Sequence, residues 1–237
     1  MTKKNLRFAQ SVIMNLRPDL KLDWATHTSA KYAVEHWHYS QTLPANKSNK
    51  LGVWEGGKFV GCIIFGLGAS PSLGKPYGLG IFQICELTRV ALSAHRWPVT
   101  RMIKIAINMI TKKNPDLRLM VSFADTFHGH HGGIYQGGGW LYSGMSNASK
   151  MWKLKNGDLR DMRRYNGHGH NIKQAVPAGA ELIKVPGKHR YLMPLDKEMK
   201  KQIESLRQPY PKREKQGNED FQSLPGGATP TLTLQTI

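Results

Sequence analysis

The spacing of apolar and polar positions changes several times along the chain, and each change marks an element. Leu51-Gly52-Val53-Trp54 and Phe59 to Phe65 are strand-length apolar runs on either side of Glu55-Gly56-Gly57-Lys58, which predicts a hairpin over 51–66. Phe82 to Leu92 predicts a further strand. From Trp97-Pro98-Val99 the period lengthens. Met102, Ile103, Ala106, Ile107 and Ile110 form a stripe that predicts a helix to about Thr111, opened by Pro98 and closed by Asn114-Pro115. Leu117 to Ala124 is again apolar and of strand length, and it ends on an acid, Asp125. A Gly/His loop follows, then a short helical piece with Ile134 and Tyr135, stopped by Gly137 to Gly139, and Trp140 to Gly144 predicts the next strand. Near the start, Thr28-Ser29 are placed to cap a helix from about Ala30 to Tyr39. Near the end, Asn156-Gly157 predicts a hairpin of Met151 to Lys155 with Leu159 to Arg163. Pro186-Gly187 predicts a second, of Glu181 to Val185 with His189 to Leu195, and Asp196 caps a basic helix to about Arg207.

This order of helix, hairpin, strand, helix, strand, helix and strand predicts an α+β (α/β layered) architecture: a mixed, partly antiparallel sheet with helices on both faces. Four segments are expected: a basic arm or helix over 1–19, a core over 20–165, a linker, hairpin and basic helix over 166–207 joined to the core, and a basic Pro/Gly-rich tail over 208–237. At 237 residues, 40% of them apolar, one ordinary domain with an appendage can bury a core.

Charge narrows the partner. Thirty-four Lys and Arg against sixteen Asp and Glu leave +18, which argues for a polyanion, nucleic acid first and an anionic membrane surface second. No uninterrupted apolar stretch of about 18 residues is present, and Met1-Thr2-Lys3-Lys4-Asn5 opens no signal peptide, so a cytoplasmic protein without a membrane partner is expected. Lys150, Lys153, Lys155, Arg160, Arg163 and Arg164 gather on or near one hairpin and are the expected DNA-binding set. Lys197, Lys200, Lys201, Lys212, Arg213 and Lys215 cover the last helix and tail. Cys62 and Cys85 lie in apolar runs and read as reduced core residues. His128, His130, His131, His168 and His170 invite a metal, since imidazole suits iron, zinc or copper, but no Cys, Asp or Glu stands with them at zinc-site spacing and no ligand is assigned.

A strand ending in Asp125, followed by a polar loop and a helix start, brings a carboxylate, imidazoles and the Tyr135 phenol to one edge of a sheet. The ordinary alternative is that Asp125 caps the next helix. Glu86 and Arg89, three apart, would point to opposite faces of a regular strand unless a bulge intervenes, and Arg89 has a structural bridge to Glu86 as its alternative role.

Several of these stretches, taken in order, resemble the Mom family of bacteriophage DNA-modification proteins. They are Glu35-His36-Trp37-His38-Tyr39-Ser40, the Leu51–Gly66 hairpin, Glu86-Leu87-Thr88-Arg89, the segment from Asp125 through Gly129-His130 and Gly133-Ile134-Tyr135-Gln136 to Trp140-Leu141-Tyr142-Ser143-Gly144, and Lys188-His189-Arg190-Tyr191. The resemblance spans roughly 20–210 and implies a GNAT-like, acetyltransferase-like fold. It further implies a transferase that converts adenine in duplex DNA to N6-carbamoylmethyladenine, for restriction evasion by the phage in the host cytoplasm. Standard N-acyltransfer to a small amine or protein, and DNA binding without catalysis, are the alternatives.

Under that reading Tyr39, Arg89, Asp125 and Tyr135 are the catalytic candidates, with Asp125 as base or orienter, the phenols as proton carriers and Arg89 on the donor's developing charge. Trp37, His38, Ser40, Glu86, His130 and Trp140 are the substrate-binding candidates, the aromatic rings taking an extruded base. The acetyltransferase fold usually holds coenzyme pyrophosphate in a Gly-rich turn before its central helix. Here the equivalent stretch, Leu92 to Arg101, has no glycine and leaves Arg96 and Arg101 as the cofactor-binding candidates. The cofactor stays undetermined between acetyl-CoA or a related acyl-CoA and iron. Double-stranded DNA is the expected partner, with a homodimer left open.

Overall fold

A computed structural model describes residues 18–44, 47–68, 70–162, 165 and 175–212. The expected positions Arg163, Arg164, His168, His170, Arg213 and Lys215, the arm over 1–17 and the tail beyond 212 lie outside the described residues.

Seven strands form the main sheet: β1 (Leu20–Trp24), β2 (Ser48–Glu55), β3 (Lys58–Gly66), β4 (Ile84–Leu92), β5 (Leu119–Ala124), β10 (His189–Pro194) and β6 (Leu141–Met145), in that spatial order. Every neighbouring pair is antiparallel except β4–β5, which is parallel and is joined by the crossover helix α2 (Val99–Lys113). The mixed sheet is the expected α+β layer. The β2–β3 hairpin turns through Gly56 and Gly57, both at positive φ, as the sequence predicts.

Helices cover both faces. The predicted stripe of α2, Met102, Ile103, Ala106, Ile107 and Ile110, is wholly buried against Leu51, Val53, Ile63 and Phe65. Helix α1 (His27–Trp37) sets Ala30, Ala33 and Val34 on the opposite face, against Cys62, Ile64 and Ala91. Helix α4 (Lys197–Ile203) sets Met199 and Ile203 against Leu119, Val121 and Leu192. Alternating residues of β3 thus feed two cores, as a central strand must.

Several expectations are corrected. Thr26, not Thr28-Ser29, caps α1, its Oγ1 accepting from the Ser29 amide at 3.1 Å, and the helix ends at Trp37, so Tyr39 lies beyond it. The second predicted hairpin does not form. Strand β9 (Glu181–Val185) pairs with β7 (Ser149–Lys153) in a separate three-stranded sheet, while β10 inserts between β5 and β6. The Asn156-Gly157 hairpin does form, between β7 and β8 (Leu159–Asp161). Residues 208–212 stay on the sheet edge: the Gln208 amide donates to Tyr142 O, and the Tyr210 hydroxyl donates to Trp140 O at 2.7 Å.

Candidate active site

Strands β4 and β5 pair only from Ile84/Leu119 to Leu87/Ser122. Beyond that point β4 runs on against β3 alone, β5 runs on against β10, and the two part. The register of β4 on β3 slips at Thr88, since Ile64 faces Arg89 and Phe65 faces Leu87. One extra residue on one strand is a bulge, and it brings Glu86 and Arg89 to the same face, where a regular strand would separate them. The Thr88 hydroxyl anchors the slip by donating to Ile64 O at 3.0 Å.

Four elements deliver side chains to the mouth of this split. The segment after α1 supplies His38, Tyr39 and Ser40. Strand β4 supplies Arg89, the end of β5 supplies Asp125, and the loop after it, the 3-10 turn Thr126–His128, supplies His128 and then His130. The Tyr39 ring lies 4.4 Å from that of His128, 5.0 Å from His130 and 4.4 Å from His38, centroid to centroid. Arg89 ties the Tyr39 segment to the sheet, with Nε donating to Thr42 O at 3.3 Å and Nη1 to Thr88 O at 2.7 Å. The cluster opens at the surface, where Tyr39 is 44% exposed.

Asp125 caps a turn with one oxygen and pairs with a cation through the other. Its Oδ1 accepts from the Phe127 amide at 3.1 Å, capping the 3-10 turn. Its Oδ2 meets Lys188 Nζ at 2.6 Å. Burial alone would raise this carboxyl. The Lys188 hydrogen bond and charge, His128 and the Phe127 amide outweigh it and hold the group below its ordinary value, so Asp125 is a carboxylate.

Tyr39, His38 and His130 beside it are held neutral. Burial first, then the Asp125 charge, pushes Tyr39 up to about 12, so it keeps its phenolic proton at neutral pH. Burial, Arg89 and the neighbouring imidazoles bring His38 down to about 3. The Ser40 amide donates to its Nδ1 at 3.1 Å, which leaves the ring proton on Nε2. His130 is lowered by burial and by His128. Desolvation also lowers Arg89, against the charges of Tyr39 and Glu86.

The other candidates are more deeply packed. Tyr135, on α3 (Gly133–Gly137), is buried on the α2 face, its ring 5.3 Å from Trp140 and 5.1 Å from Tyr191. Burial raises it to about 12, and its hydroxyl bonds Ser122. The expected proton sharing with Asp125 is therefore not what the geometry provides, because Lys188 holds that carboxylate. Trp140 is 1% exposed and offers no ring face to a base. Trp37 packs under α1 against Phe59 and Tyr32. Lys188 and His128 carried no assigned role in the sequence reading, and only the Lys188-His189-Arg190-Tyr191 stretch hinted at the lysine.

The sequence profile of the Mom protein family matches residues 19–212, a span that holds the whole cluster. This chain belongs to the Mom family. Among its relatives is the methylcarbamoylase mom of Escherichia phage Mu, 25% identical over 205 residues that cover 82% of this chain and 84% of the relative. Solved structures similar to it include a Bacillus subtilis acetyltransferase in complex with CoA, at 11% identity and a TM-score of 0.45, covering 75% of this chain and all of that one. The spermidine/spermine N-acetyltransferase SpeG from Vibrio cholerae follows at 10% identity and 0.43, covering 79% and 98%.

The Mom-family chain treats the start of α2 in its own way. Glu55, almost fully buried at the end of β2, accepts from the Arg96 amide at 2.9 Å and from the Trp97 amide at 2.8 Å. Position 98 is proline and has no amide proton. The Arg101 guanidinium lies over the Trp97 ring at 4.8 Å. A carboxylate of the chain itself thus takes the two amides just before the helix start. Among the described residues, no three His, Cys, Asp or Glu converge as a metal site, and no helix is long and apolar enough to cross a membrane.

The basic hairpin adjoins the cluster. Thr126 Oγ1 donates to Gly187 O at 2.7 Å, and the Lys188 amide donates to Ser146 Oγ at 2.9 Å, which fastens the three-stranded sheet to the Asp125 loop. Opposed pairs share a face, so Lys150 and Lys184 stand together with Trp152, Leu182 and Arg160. Lys153 faces the other way, beside Glu181. Arg160 is held by Asp158 at 2.6 Å, and Lys155 is exposed next to the turn.

Proposed function

We propose that this Mom-family protein is a transferase that attaches a carbamoylmethyl group to N6 of adenine in duplex DNA, shielding phage DNA from host restriction enzymes. Family membership across the whole cluster, with Tyr39, Asp125 and Arg89 meeting beside a basic sheet, is the observation that carries it. The adenine amino nitrogen is a poor nucleophile because its lone pair is spread into the ring. As N6 bonds to the donor's methylene carbon it gains positive charge, and its proton becomes strongly acidic. A weak but fully ionised base suffices for such a proton, and the Asp125 carboxylate supplies both countercharge and acceptor. Neutral His130 is a second acceptor, and the protonated Tyr39 hydroxyl donates a hydrogen bond and presents a ring for stacking. Arg89 faces the donor's departing negative charge.

Acyl transfer from acetyl-CoA would leave an acetyl group on nitrogen. A carbamoylmethyl product needs a donor whose methylene carbon carries the leaving group, or further steps. Nucleoside mass spectrometry of DNA from cells expressing the protein tests the reading. An adenine adduct of about 57 Da is expected, against about 42 Da for acetylation and about 14 Da for methylation. Asp125→Ala should lower the adduct by about a hundredfold. An undiminished yield removes Asp125 from the chemistry, and unmodified DNA from the wild type refutes the function.

A further inference from the structure

N6 of adenine lies inside the base stack, so an enzyme working on duplex DNA must take the base out and something must stand in the gap. Such a group is apolar and flat, exposed before DNA arrives, fixed to rigid backbone, beside the pocket and among cations. Phe127 meets each condition. It is 48% exposed at the tip of the 3-10 turn, two residues from Asp125. Its ring stands edge-on to His128 at 5.4 Å, and His128 lies against Tyr39, so rings run without a break from the tip to the cluster. Its backbone is fixed from three sides. Asp125 Oδ1 accepts its amide, Thr126 Oγ1 holds Gly187 O, and Gly129 closes the turn at φ 69° with its amide on Thr126 O. Lys188 flanks it through Asp125, and the basic sheet hangs from the same Gly187 junction.

We propose that Phe127 is a positioning wedge that enters the duplex where the target adenine leaves, holding the base in the Tyr39–His128–His130 site. The proposal rests on the reading of this site as a DNA-adenine modifier. Its geometry also gives Asp125 a second task, because the carboxylate that meets N6 also fixes the amide of the wedge.

The test needs no donor and no knowledge of target sequence. Permanganate oxidises unstacked thymines, and the partner of an extruded adenine is a thymine. A linear duplex of mixed sequence is footprinted at low salt with the full-length protein, with Phe127→Ala and with Phe127→Leu. Duplex affinity is measured alongside by gel shift, and folding by thermal melting. The expected result is new permanganate-reactive thymines with the wild type. Reactivity should fall about tenfold with the Ala variant at duplex affinity within about twofold of wild type, and the apolar Leu variant should largely retain it. Equal reactivity of wild type and Phe127→Ala overturns the wedge and leaves the function standing, as does a bound wild type that exposes no thymine. A wild type that fails to bind duplex at all refutes the DNA reading, and the wedge falls with it.

Discussion

Asp125 is the residue on which local structure and chemistry meet. One oxygen caps a turn and the other is paired with Lys188, so the carboxylate is ionised and immobile before any substrate arrives. Lys188 is the largest influence lowering it. Replacing Lys188 by Met removes that influence and leaves burial, which raises a carboxyl. The Asp125 pKa should therefore move up in a carboxyl-carbon NMR titration. The sign also fixes a stability effect. A depressed carboxyl stabilises the fold at neutral pH and loses that contribution as pH falls through its folded value. Lys188→Met should flatten the acid side of the stability profile, and an unmoved Asp125 titration would show that the ion pair has no electrostatic role.

Among elements, α2 shows how a small departure redirects a helix start. A buried carboxylate with three short contacts to two successive amides is a structural anchor, joining the tip of the β2–β3 hairpin to the crossover. Glu55→Ala would leave both amides buried without their acceptor, a loss of about 2–4 kcal/mol, and Glu55→Gln, which keeps one acceptor oxygen, should recover about half. Urea unfolding measures both. A change below about 0.5 kcal/mol would mean that water replaces the carboxylate freely. The bulge at Thr88 is the other decisive element. Glu86 and Arg89 are legible as charged positions on a strand, but only the slipped register puts them on one face.

For the molecule as a whole, the net charge of +18 favours a polyanionic partner. The three-stranded sheet sets Lys150 and Lys184 on one face, and the Gly187 junction ties that sheet to the Asp125 loop. Counterion release then predicts that duplex affinity falls by at least about a hundredfold between 50 and 200 mM salt. Lys150→Ala or Lys184→Ala should each reduce the salt slope by about one, seen by fluorescence anisotropy. An affinity indifferent to salt would detach the basic sheet from DNA.

Much of this was legible from spacing alone, because it depends on local rules. The α2 stripe, the Gly56-Gly57 and Asn156-Gly157 turns, the Asp196 cap and the strand ending at Asp125 all follow from periodicity and backbone preference. The ordered motifs also carried the family. What local rules cannot express is pairing between distant strands. Nothing near Pro186-Gly187 says that β9 and β10 part company, yet β10 entering between β5 and β6 is what carries Lys188 to Asp125. Likewise Tyr135 and Tyr39 read alike as phenols near a site. The fold buries one in the α2-side core, and a break after α1 leaves the other half-exposed. Sequence determined which groups are present and in what local structure. Tertiary structure decided which of them meet, because the free energy of a long-range strand pairing is spread over the whole sheet and written in no single stretch of the chain.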